Sequence, residues 1–180
     1  MLIKAARSCL LLVDVQARLA PAVPGADTVV RNCATLIQAA RRLEIPVLAS
    51  EEYRAGLGVT VSPLIEALGE DERYEKLHFS CADDPGIAAA LGGLGRDQVV
   101  IAGLETHVCV LQSALGLKAA GYVPYVVADA TASRTEANRS LAINRLRRGD
   151  VGIVSVEMVL FKWLSIAGTP EFKDVLRLIK

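Results

Sequence analysis

One cysteine lies where an apolar run gives way to a helical pattern. Residues 98–103 have the composition of a buried strand, residues 104–107 form a short polar segment, and a helix is predicted from Cys109 onward. The unpaired N–H groups at a helix N-terminus stabilise a thiolate and can hold an oxyanion, which favours a nucleophile. Free cysteine is also among the most buried residue types. Position alone is therefore equally compatible with a nucleophile and with a core thiol.

Asp14 and Lys76 could supply the proton chemistry that such a nucleophile needs. Asp14 follows the apolar run CLLLV, where an aspartate either caps a turn or acts as a general acid–base. Lys76 lies in the segment RYEKLHFS, and a lysine is usually a solvated surface residue. Beside a carboxylate and a thiol, however, its ammonium would hold the carboxylate in place and favour the thiolate.

The elements that would bring these residues together alternate between strands and helices. Apolar runs predict buried strands, and apolar residues at helical spacing predict helices between them. We expect Asp27 or Thr28 to cap the first helix, a capping box of Ser133 and Glu136 to begin a later helix, and Thr169 to cap the last helix. The predicted strands cover residues 9–15, 45–50, 73–80, 98–103, 123–130 and 151–157.

This alternation predicts one doubly wound α/β domain over residues 1–180. The expected fold is Rossmann-like, with a parallel sheet of strand order 3-2-1-4-5-6 and helices on both faces. Strands one and four are then neighbours at the switch point, where ligands bind outside the carboxyl ends of the strands. Asp14 and Cys109 would meet there although they are distant in sequence.

Charge and composition argue against several other classes of protein. Lys and Arg total 20 and Asp and Glu total 20, so net charge does not favour binding to nucleic acid or to an anionic membrane. No apolar stretch is long enough to span a bilayer, and the apolar run near the N-terminus is too short for a signal peptide. We therefore expect a cytoplasmic protein. The four cysteines and two histidines show neither a disulfide framework nor zinc-ligand spacing.

Six segments in order carry a resemblance to a known family. They are LLLVDVQ, SEEYRAGLGVTV, YEKLHFS, GLETHVCVLQSALGLKAAGY, VVADATASR and EMVLFKWL. Together they resemble the isochorismatase-like cysteine hydrolase superfamily, and among its members the small isochorismatase domain-containing hydrolases. The likeness covers nearly the whole chain.

The resemblance implies a catalytic triad of Asp14, Lys76 and Cys109. Cys109 would attack an amide-type carbonyl, Asp14 would carry the thiol proton to the leaving group, and water would hydrolyse the thioester. Lys76 would orient Asp14. The resemblance also implies an oxyanion hole formed by the backbone N–H groups of Cys109 and Glu105, with a cis peptide bond between Leu104 and Glu105.

Two departures from the family's variants refine the expected reaction. Members with a catalytic zinc carry Asp-x-His after the second strand, whereas this chain has ASEEYRAGLG, so we predict no metal and no cofactor. Members that cleave a vinyl ether use the aspartate without the cysteine, so Cys109 favours a C–N bond. Two alternatives stay open, namely vinyl-ether hydrolysis by Asp14 alone and a binding or scaffold protein with an unused triad.

The expected ligand is a small molecule, and the expected assembly is a homodimer or a higher homo-oligomer. EMVLFKWL, at residues 157–164, is either a subunit contact or a core helix. His107 precedes Cys109 by two residues, and we interpret it as a pocket or packing residue instead of a catalytic base. The residues predicted to line the substrate pocket are Gln16, Tyr53, Leu57 and His107.

Overall fold

Six parallel strands form one sheet in this computed structural model, which describes all 180 residues. The strand order is β3-β2-β1-β4-β5-β6, and every neighbouring pair is parallel. The predicted fold class and strand order are therefore confirmed. The strands are β1 (Ser8–Val13), β2 (Val47–Glu52), β3 (Arg73–Lys76), β4 (Gln98–Leu104), β5 (Val123–Ala132) and β6 (Gly152–Val154).

Helices cover both faces of the sheet. The helices are α1 (Ala26–Arg42), α2 (Arg54–Leu57), α3 (Ser62–Ile65), α4 (Pro85–Gly93), α5 (Leu111–Ala119), α6 (Glu136–Arg148), α7 (Val156–Leu164) and α8 (Pro170–Leu176). Residues of α1, α7 and α8 pack in one hydrophobic cluster, and residues of α4, α5 and α6 pack in a second cluster. The sheet separates these two clusters.

The continuous apolar runs of the central strands follow from this two-sided burial. Every residue of β1, β2 and β4 is buried. Along β1, Leu10 and Leu12 belong to one hydrophobic cluster, whereas Leu11 and Val13 belong to the other. Successive side chains of a strand point to opposite faces, so a strand covered on both sides needs apolar residues at every position.

The predicted beginnings of two helices are corrected by the structure. Helix α1 begins at Ala26 and its N-cap is Gly25, two or three residues before the predicted caps, with Asp27 in the first turn. Helix α6 is capped by Thr135, whose side chain accepts a hydrogen bond from the N–H of Asn138. Ser133 does not cap α6, because its hydroxyl is engaged with the ring of His107. The capping role predicted for Thr169 at α8 is confirmed.

A short π-helical turn, Thr106–Val110, precedes α5 and contains Cys109. The sequence pattern predicted that Cys109 begins the α-helix. In the structure, α5 begins two residues later, at Leu111. No helix in the structure combines the length and the apolar character that crossing a membrane requires.

Candidate active site

The ends of β1 and β4 lie side by side at the switch point of the sheet. Val13 pairs with Gly103 in the parallel register of these two strands. Gly103 has φ +122°, and a Cβ built there would lie 2.0 Å from the carbonyl oxygen of Val13. Only glycine allows so close a backbone approach. The chain segments that carry Asp14 and Cys109 therefore leave the sheet next to each other.

The carboxylate of Asp14 is held by two hydrogen bonds. Asp14 is fully buried directly after β1. Its Oδ1 accepts a hydrogen bond from the Ser50 hydroxyl at 2.6 Å, and its Oδ2 accepts one from Lys76 Nζ at 2.9 Å. Ser50 lies on β2 and Lys76 ends β3, so three neighbouring strands fix the orientation of this one carboxylate.

Lys76 is a buried ion-pair residue, not a solvated surface lysine. Its side chain is fully buried, and its Nζ donates to Asp14 Oδ2 and, at 2.6 Å, to Glu52 Oε2. Burial opposes the charged form, but the Asp14 carboxylate and the other nearby acidic groups hold the pKa of Lys76 above its ordinary value. The ammonium therefore stays charged at neutral pH.

Cys109 lies against the same charges. One ligand atom from each of Asp14, Glu52 and Cys109 lies within 4.8 Å of the other two. Burial raises the pKa of the Cys109 thiol, the Asp14 and Glu52 carboxylates raise it further, and Lys76 opposes them only in part. Burial first, and the two carboxylates next, therefore oppose the thiolate that a position near a helix N-terminus favours. Cys109 is a thiol next to a carboxylate that can accept its proton.

Glu52 is the residue of this cluster that sequence reasoning missed. It is 8% exposed and pairs in register with Lys76 across β2 and β3. The signal that could have revealed it is its position at the carboxyl end of β2, the same edge of the sheet where Asp14 follows β1. The adjacent acidic residue, Glu51, has a different role. Its Oε1 accepts from the backbone N–H and the hydroxyl of Thr60, both at 2.7 Å, and holds the loop after β2.

A cavity of about 280 Å³ opens onto this cluster. One part of its wall is ionisable and the rest is mainly apolar. The thiol of Cys109 and the carboxylates of Asp14 and Glu52 are thus accessible to a small molecule. The lining residues are Asp14, Leu19, Glu52, Leu57, Phe79, Glu105, Val108, Cys109 and Arg134. A larger cavity, of about 560 Å³, lies between the N-terminus, β6 and α7, and its lining includes none of the three predicted catalytic residues.

Of the four predicted pocket residues, only Leu57 lines the cavity. Gln16 is fully buried, and its amide joins two backbone segments, since Nε2 donates to the carbonyl oxygens of Glu52 and Gly58 at 2.9 and 2.6 Å. Tyr53 lies between β2 and α2, and its side chain is 55% exposed. His107 Nδ1 lies at hydrogen-bond distance, 3.0 Å, from the Ser133 hydroxyl. This cavity is therefore not lined by Gln16, Tyr53 or His107.

An ion pair at the cavity wall was not foreseen either. Glu105 is buried, and its carboxylate accepts hydrogen bonds from Nε and Nη2 of Arg134 at 2.9 and 2.6 Å. These hydrogen bonds hold the pKa of the Glu105 carboxyl below its ordinary value. The Leu104–Glu105 peptide bond is cis. The backbone N–H of Glu105 donates to no protein oxygen.

The ionisable cluster contains a donor set that a metal ion could in principle use. Asp14, Glu52 and Cys109 could each offer one ligand atom. The Lys76 ammonium, however, already contacts both carboxylates. A divalent cation placed there would be repelled by this fixed positive charge. The arrangement is better suited to proton transfer than to metal binding.

Comparison of the sequence with known proteins shows which family the chain belongs to. The model of the isochorismatase domain matches residues 8–157. The chain is 39% identical over 158 residues to the secreted isochorismatase effector Isc1 of Phytophthora sojae (strain P6497). This alignment covers 85% of this chain and 75% of that protein. It is 38% identical over 168 residues to isochorismatase domain-containing protein 1 of Danio rerio, covering 93% of this chain but only 59% of that protein.

A solved structure agrees with this assignment. MAR1 ribonuclease of Caenorhabditis elegans is 31% identical to this chain and superposes on it with a TM-score of 0.93, covering 99% of this chain and 92% of that chain. The chain belongs to the isochorismatase family, and the resemblance found in its sequence is confirmed.

Proposed function

We propose that this protein is a metal-independent cysteine hydrolase that cleaves a C–N bond of a small amide-type substrate through a thioester intermediate. The observation that carries the proposal is that Asp14 and Cys109 lie together at the wall of one small cavity, with Lys76 bonded to Asp14 behind it. A thiol, a carboxylate that can take its proton and a cation that orients the carboxylate are the parts that nucleophilic catalysis requires.

In the first step, Cys109 is the nucleophile and Asp14 is the proton carrier. Asp14 takes the proton of the Cys109 thiol while the sulfur attacks the carbonyl carbon of the substrate. An S–C bond forms, the C–N bond breaks, and Asp14 passes the proton to the departing nitrogen. The products are a free amine, or ammonia, and a thioester on Cys109. The raised pKa of the Cys109 thiol supports proton transfer to Asp14 during the attack, because little thiolate is present beforehand.

In the second step, water hydrolyses the thioester. Asp14, again a carboxylate, takes a proton from the attacking water as the new C–O bond forms. The C–S bond then breaks, and the proton passes from Asp14 to the sulfur, which restores the Cys109 thiol. Lys76 acts through Asp14, because its ammonium bonds the Oδ2 atom and keeps the carboxylate oriented.

Backbone N–H groups would stabilise the oxyanion that develops in both steps. We assign this role to Glu105 and Cys109. The Glu105 N–H donates to no protein oxygen, which leaves it free for a ligand. Donors fixed by the fold need no reorganisation as negative charge develops, and this preorganisation is a major part of such catalysis.

The cavity supports a small uncharged substrate and argues against nucleic acid. A volume of about 280 Å³ accommodates only a small molecule. Asp14, Glu52 and Glu105 contribute three negative charges there, against the two positive charges of Lys76 and Arg134. The excess of negative charge would repel a phosphate backbone.

Replacement of the nucleophile tests the proposed function. We expect Cys109→Ala to lower kcat/KM on any amide that the wild-type protein hydrolyses by about 10³-fold or more. The measurement is a screen of small amides, N-carbamoyl compounds and isochorismate with the wild type, followed by kinetics of the variant. Cys33→Ala is the matched control, because Cys33 is buried on α1 in the other hydrophobic cluster.

Two outcomes would contradict the nucleophile assignment. Amide hydrolysis that persists in Cys109→Ala would exclude a thioester on this sulfur. Isochorismate hydrolysis that persists in the same variant would instead indicate vinyl-ether cleavage by Asp14 alone.

A further inference from the structure

We infer that Glu52 selects the substrate, with its Oε1 atom accepting a hydrogen bond from an N–H group on the nitrogen that leaves. This inference rests on the proposed function, and it names the class of substrate. The favoured ligands are small primary amides and related compounds that carry an N–H donor and an apolar body.

Three hydrogen bonds hold Glu52, two at its backbone and one at its carboxylate. Its backbone N–H donates to Gln16 Oε1 at 2.8 Å, and its backbone carbonyl accepts from Gln16 Nε2 at 2.9 Å. Its Oε2 accepts from Lys76 Nζ at 2.6 Å. These contacts leave the side chain little freedom to turn away from the cavity, which it lines together with Cys109.

The second carboxylate oxygen of Glu52 has no partner in the protein. Glu52 is only 8% exposed, yet no side chain or backbone group donates to its Oε1. Both oxygens of the Asp14 carboxylate are engaged, by Ser50 and Lys76, and those of Glu105 are engaged by Arg134. Glu52 Oε1 is therefore the strongest acceptor left at this wall. Oε1 is not among the buried side-chain atoms that lack a partner, so it is open to the cavity, where a ligand can supply the missing donor.

Charge and shape indicate what the donor is attached to. The carboxylates around the cavity outnumber the cations, so a carboxylate or phosphate on the ligand would be repelled. The remaining wall is mainly apolar and includes Leu19, Leu57 and Phe79. A neutral amide with a short hydrocarbon acyl group matches both parts of the wall, whereas the corresponding ester has no N–H to offer.

The test compares an amide with the ester that lacks its donor. Butanamide and methyl butanoate are titrated into the Cys109→Ala protein, in which the proposed catalysis is blocked, and binding is followed by NMR. We expect butanamide to bind at least about tenfold more tightly. Equal binding of the two compounds, or binding of neither, would overturn the inference before any substitution of Glu52 is made.

A second substitution isolates the contribution of Glu52. In Cys109→Ala combined with Glu52→Gln, the side-chain carbonyl oxygen must face Lys76, because the ammonium can only donate. The amide NH₂ group then faces the cavity, where it repels an N–H donor and can bond the ester oxygen. We expect the preference for butanamide to disappear or reverse.

The controls separate this inference from the proposed function. Glu70→Gln in the Cys109→Ala background alters an almost fully exposed carboxylate and should keep the preference. An unchanged preference in the Glu52→Gln double variant would overturn the inference. Because the binding experiment needs no turnover, it can succeed even where Cys109→Ala retains activity and the proposed mechanism fails.

Discussion

At Cys109, the balance of nearby charges decides the protonation state. Two carboxylates and one ammonium surround a thiol that is 6% exposed. A position next to a helix favours the thiolate, but in this site burial and like charge prevail and raise the pKa of the thiol. In the proposed mechanism, Cys109 is therefore a protonated thiol until it attacks the substrate carbonyl.

The pH dependence of thiol alkylation tests this protonation state. A thiol whose pKa lies above its ordinary value is ionised only to a small extent at neutral pH, and each added pH unit increases the thiolate fraction. We expect the rate of iodoacetamide reaction at Cys109 to rise about tenfold per unit from pH 7 to pH 9, without a plateau. Peptide mass spectrometry measures this rate for each cysteine.

Cys33 is the internal control for that experiment. It is completely buried, and burial raises its pKa to about 12, so its modification reports unfolding of the protein. A plateau in the Cys109 rate below pH 8 would contradict a protonated resting thiol and would restore the thiolate that the sequence suggested.

At the scale of elements, the site depends on how closely β1 and β4 approach. Gly103 near the end of β4 lies against the backbone of Val13, with no space for a side chain. Its positive φ also disfavours any other residue. The strand ends that carry Asp14 and lead to Cys109 can converge only if this close contact is kept.

Alanine at this position should disrupt the contact. We expect Gly103→Ala to lower the free energy of unfolding by at least about 3 kcal/mol, since a clash with backbone atoms cannot be relieved by a side-chain rotation. Urea denaturation measures the change. Gly95→Ala is the matched control, because Gly95 also has a positive φ, +62°, but nothing lies within 4 Å of an added Cβ. A loss no larger than that of the control would contradict the assigned packing role.

The loop after β2 shows how distant contacts position one cavity residue. Gln16 joins the backbone at Glu52 and Gly58, and Glu51 binds Thr60. Leu57 ends the short helix α2 within this segment and lines the cavity. Sequence analysis assigned both Gln16 and Leu57 to the pocket, but only Leu57 lies there, because the Gln16 amide is needed to hold the loop.

At the scale of the whole molecule, helix α7 is both a core helix and a surface. Val159, Leu160 and Trp163 are buried in the hydrophobic cluster, whereas Met158 and Phe161 are 54% and 45% exposed. The two alternatives considered for EMVLFKWL therefore apply to different sides of one helix. The exposed pair lines the larger cavity beside β6, one of the two edge strands of the sheet.

The assembly stays a prediction, which the exposed side of α7 makes specific. We expect the wild-type protein to sediment as a homodimer or a higher homo-oligomer at micromolar concentration. Met158→Lys combined with Phe161→Lys should shift it to a monomer, because burial of two ammonium groups in an apolar contact is unfavourable. Leu141→Lys on α6 is the control, since Leu141 is also exposed and should not alter sedimentation. A monomeric wild type would contradict the prediction.

Local sequence pattern predicted the strands and their parallel arrangement, although β3 and β6 are shorter than expected. It also marked Asp14, Lys76 and Cys109 as candidates for chemistry, which the family resemblance joined into one triad. The apolar runs and their alternation with helices depend on short-range order, because a strand covered on both faces needs apolar residues throughout. Once the strand order was predicted, Asp14 and Cys109 had to converge at the switch point. The order of the motifs along the chain then indicated the family.

Only the tertiary structure decided the protonation of Cys109, the place of Glu52 in the cluster and the positions of Gln16, Tyr53 and His107 outside the cavity. Each of these depends on distances between atoms of separate elements. Charge interactions depend steeply on distance and burial, and a hydrogen bond forms only when its donor and acceptor meet at the correct geometry. A sequence can indicate which strand ends meet, but the atoms in contact there are set by the packing of the whole chain.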